Sequence, residues 1–278
     1  MTLLAGCPAR TGIVSLKKGA VMALKIAALQ TAGTPGDVAA NLAELSVAAQ
    51  RASQSGAELL ITPELFLTGY NIGDLTYQLA GQDLLTEARQ IAAGEGIAIV
   101  LGVPEQAGQQ IYNTAVFIDD NGAILGRHRK THLFGGLDRK YFTPGETLVS
   151  VVEFRGVKIA MLICYDVEFP ESTRAAAAAG AQLIAVPTAQ MTPYEFVAEE
   201  VIRARAWENQ VYLAYVNHAG SEAELNYVGR SRIVDPFAQV LDSVATETAL
   251  LFAEVDPSVV TRAQRENPYL LDRRLDLY

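Results

Sequence analysis

From residue 25 onward the chain alternates short, almost wholly apolar runs with longer stretches whose apolar positions recur at helical spacing. Residues 25–30 and 59–62 have strand length, and residues 37–55 between them carry the helical period with Asp37 at the N-cap, so this segment predicts a βαβ unit. Residues 83–93 predict a second helix closed by Gly94 and Gly96, and residues 97–103 an apolar strand. Asn121-Gly122 between residues 112–119 and 123–129 is a hairpin signal, and Arg155-Gly156 joins residues 149–154 and 157–163 in a second hairpin. An alanine-rich helix follows at 171–179, then a strand at 182–186, a helix at 193–209 with Pro193 in its first turn, and a strand at 211–216. Residues 229–256 read as β structure with turns at Asp235-Pro236 and Asp256-Pro257.

No linker interrupts residues 22–257, which therefore form one domain. Helices between strands and hairpins in the middle predict an α/β layered fold of mixed sheets rather than a barrel. Residues 1–21 lack periodicity and read as an N-terminal extension, with Met22 as a natural start. Residues 258–278 read as a C-terminal tail that either crosses a subunit interface or is solvated.

Composition narrows the function. The 278 residues include 22 Lys+Arg against 31 Asp+Glu, a formal charge of −9, with 50% hydrophobic and 19% charged residues. Such a chain can bury a core without staples and is too apolar to stay disordered. The acidic excess argues against nucleic-acid and anionic-membrane partners, because no basic run exceeds Arg127-His128-Arg129-Lys130. No run approaches the roughly 18 apolar residues of a membrane span, and Lys17-Lys18 follow an apolar stretch where a signal peptide would place them before it. The two cysteines, Cys7 and Cys164, are too few and too distant for a disulfide framework or zinc ribbon, which fits a reducing, cytoplasmic setting. Neither a phosphate-binding glycine motif nor metal-ligand spacing occurs, so no cofactor or metal is expected.

Three residues sit where α/β sheets collect chemistry, at strand ends: Glu64 after 59–62, Lys130 after 123–129 and Cys164 after 157–163. Taken singly, each has an ordinary reading as a solvated acid, a surface lysine and a small buried hydrophobe. Together they make a nucleophilic site. A cysteine attacks as thiolate and needs a base and a positive field to bring its pKa down from about 8.5, roles open to Glu64 and Lys130. The three histidines, His128, His132 and His218, leave a Cys-His pairing open in number, but none lies in a motif that predicts one.

The segments Pro63-Glu64-Leu65-Phe66-Leu67-Thr68-Gly69-Tyr70, Arg129-Lys130-Thr131-His132-Leu133, and Cys164-Tyr165-Asp166 followed by Phe169-Pro170-Glu171 resemble, in order, the three signature blocks of the nitrilase superfamily of carbon–nitrogen hydrolases. The likeness runs from about residue 25 to about 256 and includes Tyr112-Asn113-Thr114-Ala115, Tyr141-Phe142-Thr143-Pro144-Gly145 and Arg205-Ala206-Trp207-Glu208-Asn209. It implies an αββα sandwich, a homodimer or larger homo-oligomer, a small-molecule amide substrate and no cofactor. It also implies Cys164 as nucleophile, Glu64 as general base and acid, and Lys130 with the backbone N–H of Tyr165 at the oxyanion. Many members carry a second glutamate where this chain has Asp138. That residue takes a supporting role, with the loop drawn in by a methylene or a water in the gap, unless it is merely a helix N-cap before Arg139 and Lys140.

The residues after Cys164 favour one branch. Branches acting on N-carbamoyl amino acids or dicarboxylic monoamides tend to carry Arg three or four positions past the cysteine, whereas this chain has Val167 and Glu168. An acid there favours neutral or cationic amides such as amino-acid amides, unless Glu168 faces solvent or pairs with Arg174. Tyr165-Asp166 also differs from the Trp-Glu usual in nitrile hydrolysis. Tyr70 reads as a pocket wall or a core ring, and Thr188 as a substrate contact; Arg205, Glu208 and Asn209 read as a structural polar cluster. The leading expectation is an amidase working through a cysteine thioester. An N-carbamoyl amidohydrolase, a nitrilase and a catalytically silent scaffold of the same fold remain as alternatives.

Overall fold

A computed structural model of the chain describes residues 23–277. Cys7, the extension 1–21 and Met22 lie outside the described residues. The first part of the chain forms β1 (Leu24–Gln30), α1 (Val38–Gln54), β2 (Leu59–Ile61), α2 (Leu75–Ala80), α3 (Thr86–Glu95), β3 (Ala98–Ala107), β4 (Gln110–Ile118), β5 (Ile124–Arg129) and α4 (Gly135–Tyr141). The remainder forms β6 (Ser150–Phe154), β7 (Val157–Met161), α5 (Pro170–Ala178), β8 (Leu183–Thr188), α6 (Ile202–Asn209), β9 (Tyr212–Asn217), the short pair β10 (Ser221–Glu222) and β11 (Leu225–Asn226), β12 (Arg232–Val234), β13 (Val240–Ser243), β14 (Ala249–Val255), α7 (Pro257–Glu266) and α8 (Tyr269–Asp272).

Two six-stranded mixed sheets result, ordered β14-β1-β2-β3-β4-β5 and β13-β12-β9-β8-β7-β6. The central strands of each run parallel, β1-β2-β3 in one and β7-β8-β9 in the other, and hairpins extend the edges. The period of two along a strand explains the layers. On β1 and β2, Ile26, Ala28, Leu59 and Ile61 point inward and meet Val157, Ile159, Met161, Leu183 and Ala185 from the second sheet. Ala27, Leu29 and Leu60 point outward, under Leu42, Leu45, Ala48, Ala49 and Ala52 of α1. Outside the second sheet, Ala176 and Ala177 of α5 and Ile202 and Ala206 of α6 cover Ile184, Val186 and Leu213. Strands buried on both faces must be apolar throughout, which is why they read as continuous runs. The fold is an αββα sandwich in one domain.

Local chemistry sets the helix ends. Asp37 Oδ1 accepts from the N–H of Ala40 at 3.0 Å and starts α1, while Gly96, at φ 62°, closes α3. The second helix begins at Thr86 rather than 83, because Asp83 turns back to accept from the N–H groups of Leu85 and Thr86. The helix expected over 193–209 begins later, as a π turn over Val197–Val201 that continues into α6; Pro193 precedes it, after a cis peptide from Thr192. Asp256 caps α7, which seats Val260 against the inter-sheet core, so this part of the expected tail is built into the sandwich. Among the described residues no helix is long and apolar enough to cross a membrane, and no group of His, Cys, Asp or Glu side chains could hold a metal ion.

Candidate active site

Three strand ends from the two sheets converge at one end of the sandwich. β2 ends at Ile61 and the chain turns sharply through Pro63-Glu64-Leu65, with Leu65 at φ 50°. The turn lies directly on β3 at Gly102, where a Cβ would stand 2.3 Å from the Pro63 carbonyl oxygen and 2.5 Å from the Leu65 nitrogen. Only glycine fits there. The backbone of the turn is tied to the opposite sheet, since Glu64 N–H donates to Thr188 O at 3.3 Å and the His218 Nε2–H donates to Glu64 O at 2.7 Å. Lys130 follows β5. Its N–H donates to Asn113 O at 2.8 Å and its carbonyl accepts from Gly145 N–H at 2.8 Å. Cys164 follows β7 at the head of a 3-10 turn, Cys164–Glu168, with φ 46°, a left-handed conformation that a non-glycine residue keeps only when its surroundings enforce it.

The side chains of Glu64, Lys130 and Asp138 are all fully buried. Lys130 Nζ lies 2.7 Å from Glu64 Oε1 and 2.7 Å from Asp138 Oδ2. Asp138 is therefore in direct contact with Lys130, with no space for a water between them. It lies inside α4 rather than at its N-cap, where its Oδ2 also accepts from Phe134 N–H at 2.8 Å. Burial alone would lower the Lys130 pKa, but Asp138 and Glu64 outweigh it and hold the ammonium charged well above its usual range. Burial pushes Glu64 above the ordinary carboxylate value, against the pull of Lys130. Glu64 Oε1 also accepts from Asn113 Nδ2 at 2.6 Å, while Oε2 is buried without a hydrogen-bond partner.

Cys164 is buried and its thiol is pushed well up by burial and by the Glu64 charge, which Lys130 and the Ala189 N–H offset only in part. This reverses the lowered thiol pKa expected from a lysine field. The resting group is a thiol whose Sγ donates to Gln190 Oε1 at 3.6 Å. Tyr165 is the second residue of the 3-10 turn, in its first turn, where N–H groups lack partners within the turn.

Tyr70 belongs to the site, and its hydroxyl is engaged: it donates to Asp138 Oδ1 at 2.8 Å, with the ring 5.8 Å from Lys130 Nζ. Thr188 differs from the expected substrate contact. It is fully buried, its hydroxyl donates to Val186 O at 3.0 Å, and it meets the site through its carbonyl at Glu64. Glu168 neither stands free in solvent nor lies remote; it is half-buried, and burial raises its carboxyl pKa against the pull of the neighbouring Gln190 side chain. Arg205 fastens the end of this turn, donating to the carbonyls of Val167 at 2.9 Å and Glu168 at 2.6 Å, and pairs with Glu208.

Several supporting residues escaped the sequence reading. Asn113 stands in the Tyr112-Asn113-Thr114-Ala115 segment of the resemblance but without a role, and Gln190 reads only as a polar residue just after an apolar run. Asp166 is a buried strap between the sheets: it accepts from Ile163 N–H beside the cysteine and from Thr131 N–H and His132 N–H beside the lysine, and it contacts both His128 and His132. Burial pushes its carboxyl up, but these partners outweigh burial and hold it well below the usual range. Glu222 accepts from the N–H groups of Tyr70 and Asn71 and from the Tyr227 hydroxyl, pinning the loop that carries Tyr70.

Next to the site, a cleft of about 540 Å³ is walled by His132, Leu133, Arg139, Phe142, Pro144, Tyr165 and Phe169. Its edge at Tyr165 adjoins the nucleophile turn.

Comparison with known proteins agrees with this geometry. The carbon-nitrogen hydrolase family model matches residues 25–265. A hydrolase encoded in the pqqF 5' region of Pseudomonas protegens is 43% identical, over 96% of this chain and 94% of its own length. An (R)-stereoselective amidase from a Pseudomonas species is 37% identical, over 91% of this chain and 93% of its own. A solved variant of the amidase from Nesterenkonia sp. AN1, showing covalent addition of the acetamide moiety of fluoroacetamide at its active-site cysteine, matches with a TM-score of 0.85 and 37% identity, over 92% of this chain and 96% of that one. The described chain thus belongs to the carbon–nitrogen hydrolase family, on the amidase-like branch of the nitrilase superfamily, and is a hydrolase of amide C–N bonds.

Proposed function

We propose that the protein hydrolyses the carboxamide of small neutral or cationic amides, amino-acid amides among them, to carboxylic acid and ammonia through a Cys164 thioester. The observation that carries this reading is the Lys130 ammonium, fixed at 2.7 Å from both Glu64 and Asp138 at the strand end facing Cys164. Two of its three donors are occupied by carboxylates, which leaves one N–H for a substrate oxygen. Glu64 keeps one oxygen without a partner, and its raised pKa suits a group that takes and returns a proton near neutral pH.

The steps follow from these roles. Cys164 Sγ attacks the amide carbon as its proton passes to Glu64, and the carbonyl oxygen becomes an oxyanion held by Lys130 and the Tyr165 N–H. The C–N bond breaks as Glu64 returns the proton to nitrogen, and ammonia leaves the thioester. Glu64 then takes a proton from water, whose oxygen attacks the thioester carbon. The C–S bond breaks, sulfur recovers the proton from Glu64, and the acid departs. The acetamide moiety on the cysteine of the Nesterenkonia amidase supports covalent chemistry at sulfur with a small acyl group. Glu168, an acid four residues past the nucleophile, disfavours anionic substrates.

Ammonia release from a panel of neutral, cationic and anionic amides, ureido acids and nitriles tests the reading with wild type and Cys164→Ala. Turnover of neutral or cationic amides that vanishes in the variant is expected. Indistinguishable rates for the two proteins on every substrate would overturn it.

A further inference from the structure

Between β8 and the nucleophile turn lies a residue that touches the reacting sulfur and has no part in the steps above. Gln190 is almost completely buried, and its backbone is fixed on both sides: its N–H donates to Asn217 Oδ1 at 2.8 Å, and its carbonyl accepts from Asn217 Nδ2 at 3.2 Å and Val228 N–H at 3.0 Å. Its side chain bridges two groups. Oε1 accepts from Cys164 Sγ at 3.6 Å, and the side chain lies beside the half-buried Glu168 carboxyl, whose pKa it pulls down against the rise from burial.

An ionised carboxylate only accepts, so Glu168 takes the Nε2 end of the amide and turns Oε1 towards sulfur. In the free enzyme the thiol satisfies that oxygen. When the thiol proton moves to Glu64 during attack, Oε1 loses its donor in a buried setting, which is costly unless another donor arrives. The nitrogen of a primary amide, bonded to the carbon under attack, brings N–H groups to this place. An ester oxygen brings none.

We infer that Gln190 is a specificity-determining residue, oriented by Glu168, which selects substrates whose leaving group carries an N–H and so favours primary amides over esters of the same acyl chain. The inference rests on the amidase reading and extends it to the leaving group. Discrimination of this kind arises as the donor is lost, so it falls on kcat/KM in the attack step.

The test compares kcat/KM for a carboxamide and the methyl ester of the same acid in wild type, Gln190→Leu and Glu168→Gln. Gln190→Leu removes the acceptor at similar volume and lowers the amide-to-ester ratio about tenfold. Glu168→Gln frees the amide to flip and lowers the ratio by a smaller factor. An unchanged ratio in both variants, or amide and ester rates falling in equal proportion, overturns the inference while wild-type amide turnover leaves the amidase reading standing. Wild type without ammonia release from any amide overturns both. Where Gln190→Leu does not fold, the ratio in Glu168→Gln decides alone.

Discussion

Asn113 donates at 2.6 Å to Glu64 Oε1, the same oxygen that Lys130 holds at 2.7 Å. Both donors on one oxygen leave the other as the proton acceptor, so Asn113 helps to decide which edge of the carboxyl acts. Its hydrogen bond favours the charged form and pulls down a pKa that burial raises. Replacing Asn113 by Leu removes that pull, so the Glu64 pKa rises further. The acidic limb of the kcat/KM profile is expected to move to higher pH, with a fall of about 10- to 100-fold at neutral pH. A pH–rate series of the variant against wild type measures both effects; an unmoved limb would show that Asn113 serves packing alone.

Asp138 makes its contacts with no slack. Its two oxygens receive Lys130, Phe134 N–H and the Tyr70 hydroxyl, and the side chain is fully buried. Tyr70→Phe removes one donor and is expected to lower kcat about 5- to 10-fold with little change in KM, because the hydroxyl donates to Asp138 and through it steadies Lys130. Asp138→Glu, chemically conservative, adds a methylene where there is no room and is expected to cost about 1 to 3 kcal/mol of stability in urea unfolding. A glutamate accepted without loss would show that the loop carrying α4 yields.

The sandwich was legible where local signals sufficed. The β1-α1-β2 unit, both hairpins with Gly122 and Gly156 at their turns, and the strands leading to Cys164 and Thr188 all follow from apolar runs and turn residues. Helix α4 was not, because Gly135-Gly136 opens it without a capping side chain, and α2 is a single short helix without a stripe. The site divides likewise. Glu64, Lys130 and Cys164 stand at strand ends, but Asn113, Asp166 and Gln190 matter through contacts across 49, 38 and 26 residues of chain. Such pairings are set by how the sheets stack, which no local pattern records.

Asp166 joins the loops of Lys130 and Cys164, so its charge is a stability device as well as a positional one. Its folded-state pKa lies well below the ordinary aspartate value of about 3.9, so the stabilisation is complete above that value and fades as pH falls towards the depressed one. Asp166→Asn weakens the acceptor set and is expected to cost about 3 kcal/mol at pH 7. The difference between variant and wild type should shrink as pH is lowered through 4 to 3. Urea titrations at pH 7, 5 and 3 measure it. A constant difference across that range would mean that shape rather than charge makes the strap.

Lys130 is the single cation between two buried carboxylates, and its removal tests the electrostatic argument most directly. Lys130→Met keeps much of the volume while Glu64 loses its largest lowering influence, so the Glu64 pKa climbs beyond its already raised value. The base is then protonated at neutral pH and the oxyanion loses a donor, for an expected fall in kcat/KM of about a thousandfold. Stability has a definite sign. An acid whose folded pKa exceeds its unfolded value binds a proton more tightly when folded, so the variant is favoured at low pH and loses stability as pH rises towards the folded pKa. The gap from wild type should therefore widen between pH 5.5 and pH 8 in urea unfolding. A gap independent of pH would mean that the carboxylates find another partner when the ammonium is gone, and Lys130 would then be needed for chemistry but not to hold the charges of the site together.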